Sequence, residues 1–216
     1  MSNQPFYIKQ LELGPMRNFV YLLGDPETRE AAVVDPGWEV PQIMEAVAED
    51  GYKLTHVFLS HTHFDHVQGL GDLLNAIDLP VFVHDAESHA LEISETNIKP
   101  VGEGDIIHVG SVPVTFLHTP GHTQGSQCML IGDHIFSGDT LFVRACGRWD
   151  LPGGDPRALY TSLADKLKKL PDHTRLYPGH NYGHVPISTI GDEKQHNPFL
   201  KPATSAEFLR SIGYTQ

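Results

Sequence analysis

The chain has 216 residues, of which 40% are hydrophobic and 19% are charged, and its formal net charge is −12 at pH 7. This acidity argues against a nucleic acid or an anionic membrane as partner, because binding to either relies on Lys and Arg neutralising negative charge. Two cysteines are too few for a disulfide framework, no run approaches the ~18 apolar residues of a membrane span, and no signal peptide is visible, so we expect a cytoplasmic protein with reduced thiols.

The first part of the chain predicts three strands, a helix and a fourth strand. Apolar runs separated by Gly, Pro and Asp predict strands over 6–13, 18–24 and 30–37. The segment after Trp38 has helical apolar spacing, a proline near its start and a glycine at its end, which predicts an amphipathic helix. The nearly continuous apolar run 54–60 predicts a strand that leads directly into a cluster of histidines.

The second part repeats this plan. Two hairpins are predicted, over 105–122 with a turn at Gly110-Ser111 and over 127–139 with a turn at Gly132-Asp133. A helix is predicted over 155–170, with Asp155 as N-cap and Pro156 in the first turn, followed by a strand over 174–180. Strand, loop and a potential metal ligand therefore recur four times. Loops at the ends of adjacent strands converge, so these side chains are expected to meet at one site.

The cluster reads SHTHFDH over residues 60–66. In an extended loop His61 and His63 project to the same side and can bind one ion, whereas Asp65 and His66 follow a bend and can face a second. Imidazole and carboxylate ligands without thiolate suit zinc, Fe(II) or Mn(II), and they are typical of open catalytic sites rather than closed structural ones. The other histidines are expected at the surface or in ordinary hydrogen bonds: His56, His84, His89, His108, His118, His134, His173, His184 and His196.

Four motifs together resemble those of the metallo-β-lactamase-fold superfamily: HTHFDH at 61–66, TPGHT at 119–123, SGDT at 137–140 and YPGH at 177–180. The resemblance implies a single domain over 1–216 with the α/β class, a four-layer αββα sandwich of two mixed sheets flanked by helices. It also implies two metal ions. One is held by His61, His63 and His122, the other by Asp65, His66 and His180, and Asp139 bridges them.

Such a site has a direct chemical consequence. Two divalent ions against two carboxylates leave a net positive charge, and coordination lowers the pKa of water from 15.7 to about 7, which provides hydroxide at neutral pH. The ions also polarise a carbonyl, so hydrolysis of an acyl bond is the expected reaction. Asp65 and Asp139 are the expected catalytic carboxylates, and Asp65 can orient the hydroxide.

The segment 146–150 narrows the resemblance to glyoxalase II-like (hydroxyacylglutathione hydrolase-like) hydrolases and persulfide dioxygenases. By this resemblance Arg148 and Tyr182 contact the substrate, although Arg148 can equally form a structural ion pair with Asp150 or Asp155. Only 36 residues follow His180 (216 − 180). We therefore expect the long C-terminal helical domain of standard glyoxalase II to be missing.

Three functions follow from these observations. The first is a metallohydrolase that cleaves a thioester of the S-lactoylglutathione class with two divalent ions, zinc or else iron or manganese. The second is a persulfide dioxygenase that oxidises glutathione persulfide with one Fe(II), held by His61 or His63 together with His122 and Asp139. By the resemblance such enzymes retain the other ligand-type residues, so the ligand types do not determine the number of ions. The third is a metal-binding or scaffold protein without activity. The expected partner is a small thiol-derived substrate, and the expected assembly is a monomer or a homodimer.

Overall fold

The computed structural model describes residues 6–214 and contains two six-stranded sheets. The first sheet follows chain order, with strands β1 (Tyr7–Leu13), β2 (Asn18–Gly24), β3 (Glu30–Val34), β4 (Lys53–Phe58), β5 (Val81–His84) and β6 (Ile98–Val101). The strand β2 is antiparallel to both β1 and β3, and the strands β3 to β6 are parallel to one another. The sheet is therefore mixed, as predicted.

The second sheet is built from β7 (Ile106–Val109), β8 (Val112–His118), β9 (Gln127–Ile131), β10 (His134–Gly138), β13 (Arg175–Pro178) and β14 (Ser188–Thr189). Its spatial order is β14-β13-β10-β9-β8-β7, with one parallel pair, β10 and β13. Both predicted hairpins are confirmed with their turns. A two-stranded hairpin, β11 (Leu141–Phe142) and β12 (Ala145–Cys146), follows β10.

Helices cover the outer faces of the sheets. They are α1 (Val40–Glu49), α2 (Phe64–Val67), α3 (Leu70–Ala76), α4 (Asp85–Ser88), α5 (Pro156–Thr161), α6 (Ile190–His196) and α7 (Ser205–Ser211). The helix predicted over 155–170 is α-helical only in α5. It continues as a π-helical turn over Ser162–Lys166 and a 3₁₀ turn over Leu167–Lys169, and Asp155 caps it as predicted. No helix within residues 6–214 is both long and apolar enough to cross a bilayer.

Three apolar layers explain why the strands read as continuous hydrophobic runs. Along β2, Val20 and Leu22 pack against α1 and α3 on the outside, while Phe19 and Tyr21 face the second sheet. Along β10, Phe136 lies in the layer between the sheets and Ile135 in the outer layer with α5 and α7. Since successive side chains of a strand point to opposite faces, each sheet needs apolar residues at nearly every position. The αββα fold class is confirmed.

Candidate metal centre

The ends of four strands meet at one edge of the molecule. The strands β8, β10 and β13 run in the same direction, so the loops that follow them, with His122, Asp139 and His180, lie at the same end of the second sheet. The loop after β4 reaches this end from the first sheet. The two sheets are joined there by a bridge between Asn18 and His180 and by the Phe19 amide, which donates to the Gly179 carbonyl at 2.8 Å.

The turn after β4 carries four of the seven predicted ligands. His61 lies in the loop and is 1% exposed, His63 precedes the short helix α2, and Asp65 and His66 lie within that helix and are buried. Glu87 fixes this turn from α4. Its buried carboxylate accepts hydrogen bonds from the Thr62 amide and hydroxyl at 2.8 Å, and from the Gly125 amide of the loop that holds His122.

All seven predicted side chains converge, and they form three overlapping groups whose ligand atoms lie within 4.8 Å of one another. The first group is His61, His63 and His122. Another combines His61, His66 and Asp139, and the last combines Asp65, His66 and His180. Asp139 lies between the outer two groups: its carboxylate oxygens are 3.4 Å from His66 Nε2, 3.6 Å from His122 Nε2 and 3.3 Å from His180 Nε2. The first and last of these groups contain the same residues as the two sets that the resemblance names, and the middle group connects them through Asp139.

Two of the histidines are oriented by backbone carbonyls. The Nδ1 atom of His122 lies 2.7 Å from the Arg148 carbonyl oxygen, and the Nδ1 atom of His180 lies 3.0 Å from the Met16 carbonyl oxygen. A carbonyl only accepts hydrogen bonds, so each Nδ1 must carry the proton. The neutral imidazole then presents an Nε2 lone pair to the site, which is the form that binds metal.

The other pair is oriented through Asp35, a residue that the sequence analysis did not select. Its carboxylate accepts from the Ser60 amide at 2.7 Å, from the Ser60 hydroxyl at 2.6 Å and from His66 Nδ1 at 3.0 Å. Because the Ser60 hydroxyl donates its proton to Asp35, it accepts from His61 Nδ1 at 3.0 Å. Asp35 therefore determines the tautomers of both His61 and His66.

The distances between the imidazole nitrogens of the cluster are those expected for ligands of one metal ion. His61 Nε2 lies 3.1 Å from His63 Nδ1, and His66 Nε2 lies 3.2 Å from His180 Nε2. Two nitrogens that each lie about 2.05 Å from a tetrahedral ion are about 3.3 Å apart. In addition, His122 Nε2 and Asp139 Oδ1 are buried and make no hydrogen bond within the described part of the chain. Converging lone pairs and buried polar atoms without partners are what a metal ion satisfies.

The carboxylates and imidazoles of the cluster shift one another's pKa values. Burial lowers the pKa of His66, but the carboxylates of Asp139 and Asp35 outweigh it and raise that pKa well above its ordinary value. Burial likewise raises the pKa of Asp139, yet His66 and His180 hold it well below the usual range. Burial, reinforced by the neighbouring His66, keeps His61 neutral by lowering its pKa. The site thus contains ionised carboxylate beside at least one neutral imidazole.

The two carboxylates of the cluster are each held in place, Asp65 by a side-chain hydrogen bond and Asp139 by close packing against Gly179. Asn18 donates to Asp65 Oδ2 at 2.9 Å, and its own amide oxygen accepts from the Trp38 indole at 2.9 Å. A Cβ atom on Gly179 would lie 2.3 Å from Asp139 Oδ1, so only glycine allows the YPGH backbone this close to the carboxylate. Asn18, like Asp35, gave no sequence signal because it lies far along the chain from the residue it positions.

A pocket of about 470 Å³ opens above the cluster. Arg148 and Tyr182, for which the resemblance implies substrate contact, both line it. Arg148 also forms the alternative ion pair: its Nε and Nη2 atoms donate to the two Asp150 carboxylate oxygens at 2.9 Å each. The Tyr182 ring stacks on His180 at 4.5 Å, and burial together with Asp139 and Asp65 raises the pKa of Tyr182, so its phenol stays neutral.

Comparison with known proteins shows which family shares this arrangement. The family model described as the metallo-β-lactamase superfamily matches residues 13–180, a range that includes all seven converging side chains. PksB of Bacillus subtilis (strain 168), a probable polyketide biosynthesis zinc-dependent hydrolase, is 32% identical over 193 residues, which cover 89% of this chain and 86% of PksB.

A persulfide dioxygenase and a crystal structure that shares its name, ETHE1, are similarly related. Mitochondrial persulfide dioxygenase ETHE1 of Homo sapiens is 33% identical over 216 residues, covering 98% of this chain and 82% of that protein. The crystal structure of ETHE1 from Myxococcus xanthus superimposes with a TM-score of 0.86 at 36% identity, covering 96% of this chain and 90% of the other. The relatives therefore include both reaction types that the sequence suggested.

Proposed function

The chain belongs to the metallo-β-lactamase superfamily, and on that premise we propose that it is a metal-dependent hydrolase of thioesters of the S-lactoylglutathione (hydroxyacyl-thiol) class. One observation carries the proposal: two complete groups of three ligands lie side by side with Asp139 between them. A mononuclear reaction needs only one of these groups. The group of Asp65, His66 and His180 would be the ligands of a second ion.

The seven converging residues would have different roles in such a reaction. His61, His63 and His122 would hold one ion, Asp65, His66 and His180 the other, and Asp139 both. When bound, the ions would supply a hydroxide at neutral pH and polarise the acyl carbonyl. Asp65 is held by Asn18 through one oxygen, so its position is fixed beside His66 and His180, at 3.5 and 3.4 Å from their Nε2 atoms. Asp65 is thus placed to orient the attacking group.

A second candidate is persulfide oxidation with a single Fe(II). The relatives named ETHE1 favour it, since they match nearly the whole chain at 33% and 36% identity. In this alternative His61 or His63, with His122 and Asp139, would hold the iron. Asp65 and His180 would then hold no ion, and their burial would serve only to pack and polarise the site.

Asp65→Asn distinguishes the two candidates, because Asp65 belongs only to the group with His66 and His180, which would hold the second ion of the hydrolase. For the hydrolase we expect thioester turnover to fall about 100-fold or more, with the bound metal falling from two ions towards one per chain by mass spectrometry. For the dioxygenase we expect oxygen consumption on glutathione persulfide by the iron-loaded protein to persist. Asp72→Asn, an exposed carboxylate in the first turn of α3, is the matched control.

The wild-type protein gives the primary test. S-lactoylglutathione and a panel of other acyl thiols are offered to protein loaded with zinc, iron or manganese. Absence of turnover with every metal, combined with iron-dependent oxygen consumption, rejects the hydrolase in favour of the dioxygenase. Absence of both activities rejects both candidates.

A further inference from the structure

Each outer ligand group of the metal centre is held by a part of the chain that supplies no ligand. The first group is His61, His63 and His122, and the last group is Asp65, His66 and His180. The helix α4 contacts the loops of the first group, and the segment 16–19, which leads into β2, contacts the last group. Asp35, in contrast, orients one histidine of each group. The contacts of α4 and of the segment 16–19 therefore show which residues act on one ion position alone.

The helix α4 joins the two loops that supply the first group. One carboxylate oxygen of Glu87 accepts from the Thr62 amide and hydroxyl, and the other accepts from the Gly125 amide, all at 2.8 Å. Thr62 separates the two histidines of the loop after β4, and Gly125 lies in the loop of His122. Glu87 is 7% exposed, so water competes little for these hydrogen bonds. Its carboxylate therefore fixes the two loops relative to each other.

The position of α4 is itself fixed against the second sheet. His84, which precedes α4, accepts a hydrogen bond from the Ala86 amide and stacks on His118 with ring centroids 3.9 Å apart. His118 ends β8, the strand that leads into the loop of His122. The His118 Nε2 atom donates to the Gln124 carbonyl of that loop at 2.9 Å. The carboxylate in α4 thus acts from a fixed support.

The segment 16–19 holds the last group in a similar way. The Asn18 side-chain amide donates to Asp65 Oδ2 at 2.9 Å and to the Asp65 carbonyl at 3.2 Å, and its oxygen accepts from the Trp38 indole. The Met16 carbonyl orients His180, and Asn18 forms a β-bridge with the same histidine. Asn18 is 1% exposed. Its side chain therefore positions the carboxylate that belongs to the last group alone.

We infer that the two ion positions are set independently by two positioning residues, Glu87 for the ion of the first group and Asn18 for the ion of the last group. Neither residue belongs to a ligand group, and each forms hydrogen bonds to the loops of a different group. The inference rests on the two ions of the proposed function and goes beyond its reaction, because it states that the affinities of the two positions change separately.

The expected effect follows from the hydrogen bonds that each variant loses. Glu87→Gln leaves one oxygen for two loops, so the new amide nitrogen faces a backbone N–H group of the other loop and one donor stays without an acceptor. Residues that orient metal ligands typically contribute about 10- to 100-fold to metal affinity, and we expect Glu87→Gln to raise the Kd of the first ion by this factor. Asn18→Ala, which removes both bonds to Asp65, should do the same for the second ion.

The test measures each ion in a protein that retains only its own group. Asp65→Asn removes a ligand of the last group, and His63→Ala removes a ligand of the first. Each background is combined with Glu87→Gln and with Asn18→Ala, and the Kd for zinc is measured by competition with a chromophoric chelator. We expect Glu87→Gln to weaken zinc binding in the Asp65→Asn protein and to change the Kd less than about threefold in the His63→Ala protein. Asn18→Ala should show the opposite pattern.

A further variant separates the hydrogen bonds of Glu87 from its charge. A Cβ atom on Gly125 would lie 2.8 Å from Glu87 Cγ, so Gly125→Ala displaces the carboxylate without removing it. We expect this variant to raise the Kd of the first ion about 2- to 10-fold in the Asp65→Asn protein. Gly71→Ala in α3 is the matched control and should leave the Kd unchanged, since a Cβ atom there meets no atom within 4 Å.

Each outcome decides a separate point. An equal loss of zinc affinity in both backgrounds overturns the inference, because a general loss of stability or of negative charge acts on both ions. A background that binds no zinc overturns the independence of its ion. Unchanged affinity of Glu87→Gln in the Asp65→Asn protein, or of Asn18→Ala in the His63→Ala protein, overturns the role of that residue. Wild-type protein that holds two ions but turns over no acyl thiol rejects the proposed hydrolysis, whereas selective loss of one ion in each background still supports the inference.

Discussion

Asp35→Asn is the sharpest test of how the site is organised. Asp35 Oδ1 accepts from the Ser60 amide, and an asparagine oxygen can keep that bond. The Oδ2 atom accepts from the Ser60 hydroxyl and from His66 Nδ1. An amide nitrogen at that position donates instead of accepting, so both of those bonds must reverse. His66 is then forced to carry its proton on Nε2, and the Ser60 hydroxyl, now free to donate, forces the same change on His61.

The expected magnitude follows from these two reversals. To bind metal, His61 and His66 must each give up one hydrogen bond to regain the Nε2 lone pair. At about 0.5–1.5 kcal/mol per bond this costs about 1–3 kcal/mol in total. Metal affinity should therefore fall about 5- to 150-fold, which spans the tenfold to hundredfold loss typical of residues that orient metal ligands.

The assay is competition for zinc against a chromophoric chelator, with the bound metal counted by mass spectrometry. Asp25→Asn is the matched control, since Asp25 also accepts backbone amides, from Glu27 and Ser111, but lies outside the cluster. It should leave the affinity unchanged. Affinity of Asp35→Asn within twofold of the wild type would refute the tautomer argument, provided that its circular dichroism and unfolding transition stay native.

The remaining predictions concern stability and reactivity. When the free metal concentration is 1,000 times the Kd, removing the metal with a chelator should lower the free energy of unfolding by about 4 kcal/mol and the Tm by about 8–16 °C. An unchanged Tm would mean that no ion had been bound. Glu193 is fully buried, and its carboxylate accepts hydrogen bonds from Arg144 and Asn197. Glu193→Ala should therefore lower the free energy of unfolding, measured with urea, by about 3–5 kcal/mol. A decrease below about 1 kcal/mol would contradict a stabilising role of this carboxylate. Burial raises the pKa of Cys128 to about 11 and that of Cys146 to about 12, so iodoacetamide should label neither at pH 8 before unfolding, as mass spectrometry can check.

The sequence predicted the parts of the site that carry chemically distinctive residues. Histidines are uncommon, and each of His61, His122 and His180 follows an apolar run, so the residue pattern alone places them at strand ends. The convergence of those ends follows from the shared direction of β8, β10 and β13, of which β8 and β10 are aligned by the antiparallel strand β9 between them and β13 by its parallel pairing with β10.

The supporting residues were not predictable in the same way. Asp35 follows β3 and reads as an ordinary turn residue in VVDPG, and its partnership with His66 arises only because β3 and β4 pair in parallel, with Val34 opposite Phe58. Glu87 and Asn18 are likewise defined by contacts across the chain. The break of the 155–170 helix into α, π and 3₁₀ turns has no clear signal, since Leu159, Leu163 and Leu167 are all buried and read as one continuous helical face.

Each outer ligand group takes two side chains from the loop after β4 and one from the second sheet, His122 or His180. A bound ion would thus act as a cross-link between the halves of the sandwich, and uptake of metal would be thermodynamically coupled to their docking. Loosening the aromatic layer that joins the halves, for example at Phe58 and Phe116 with ring centroids 5.3 Å apart, should then weaken metal retention from a distance. A variant of this kind would score as a metal-binding defect although every ligand is intact.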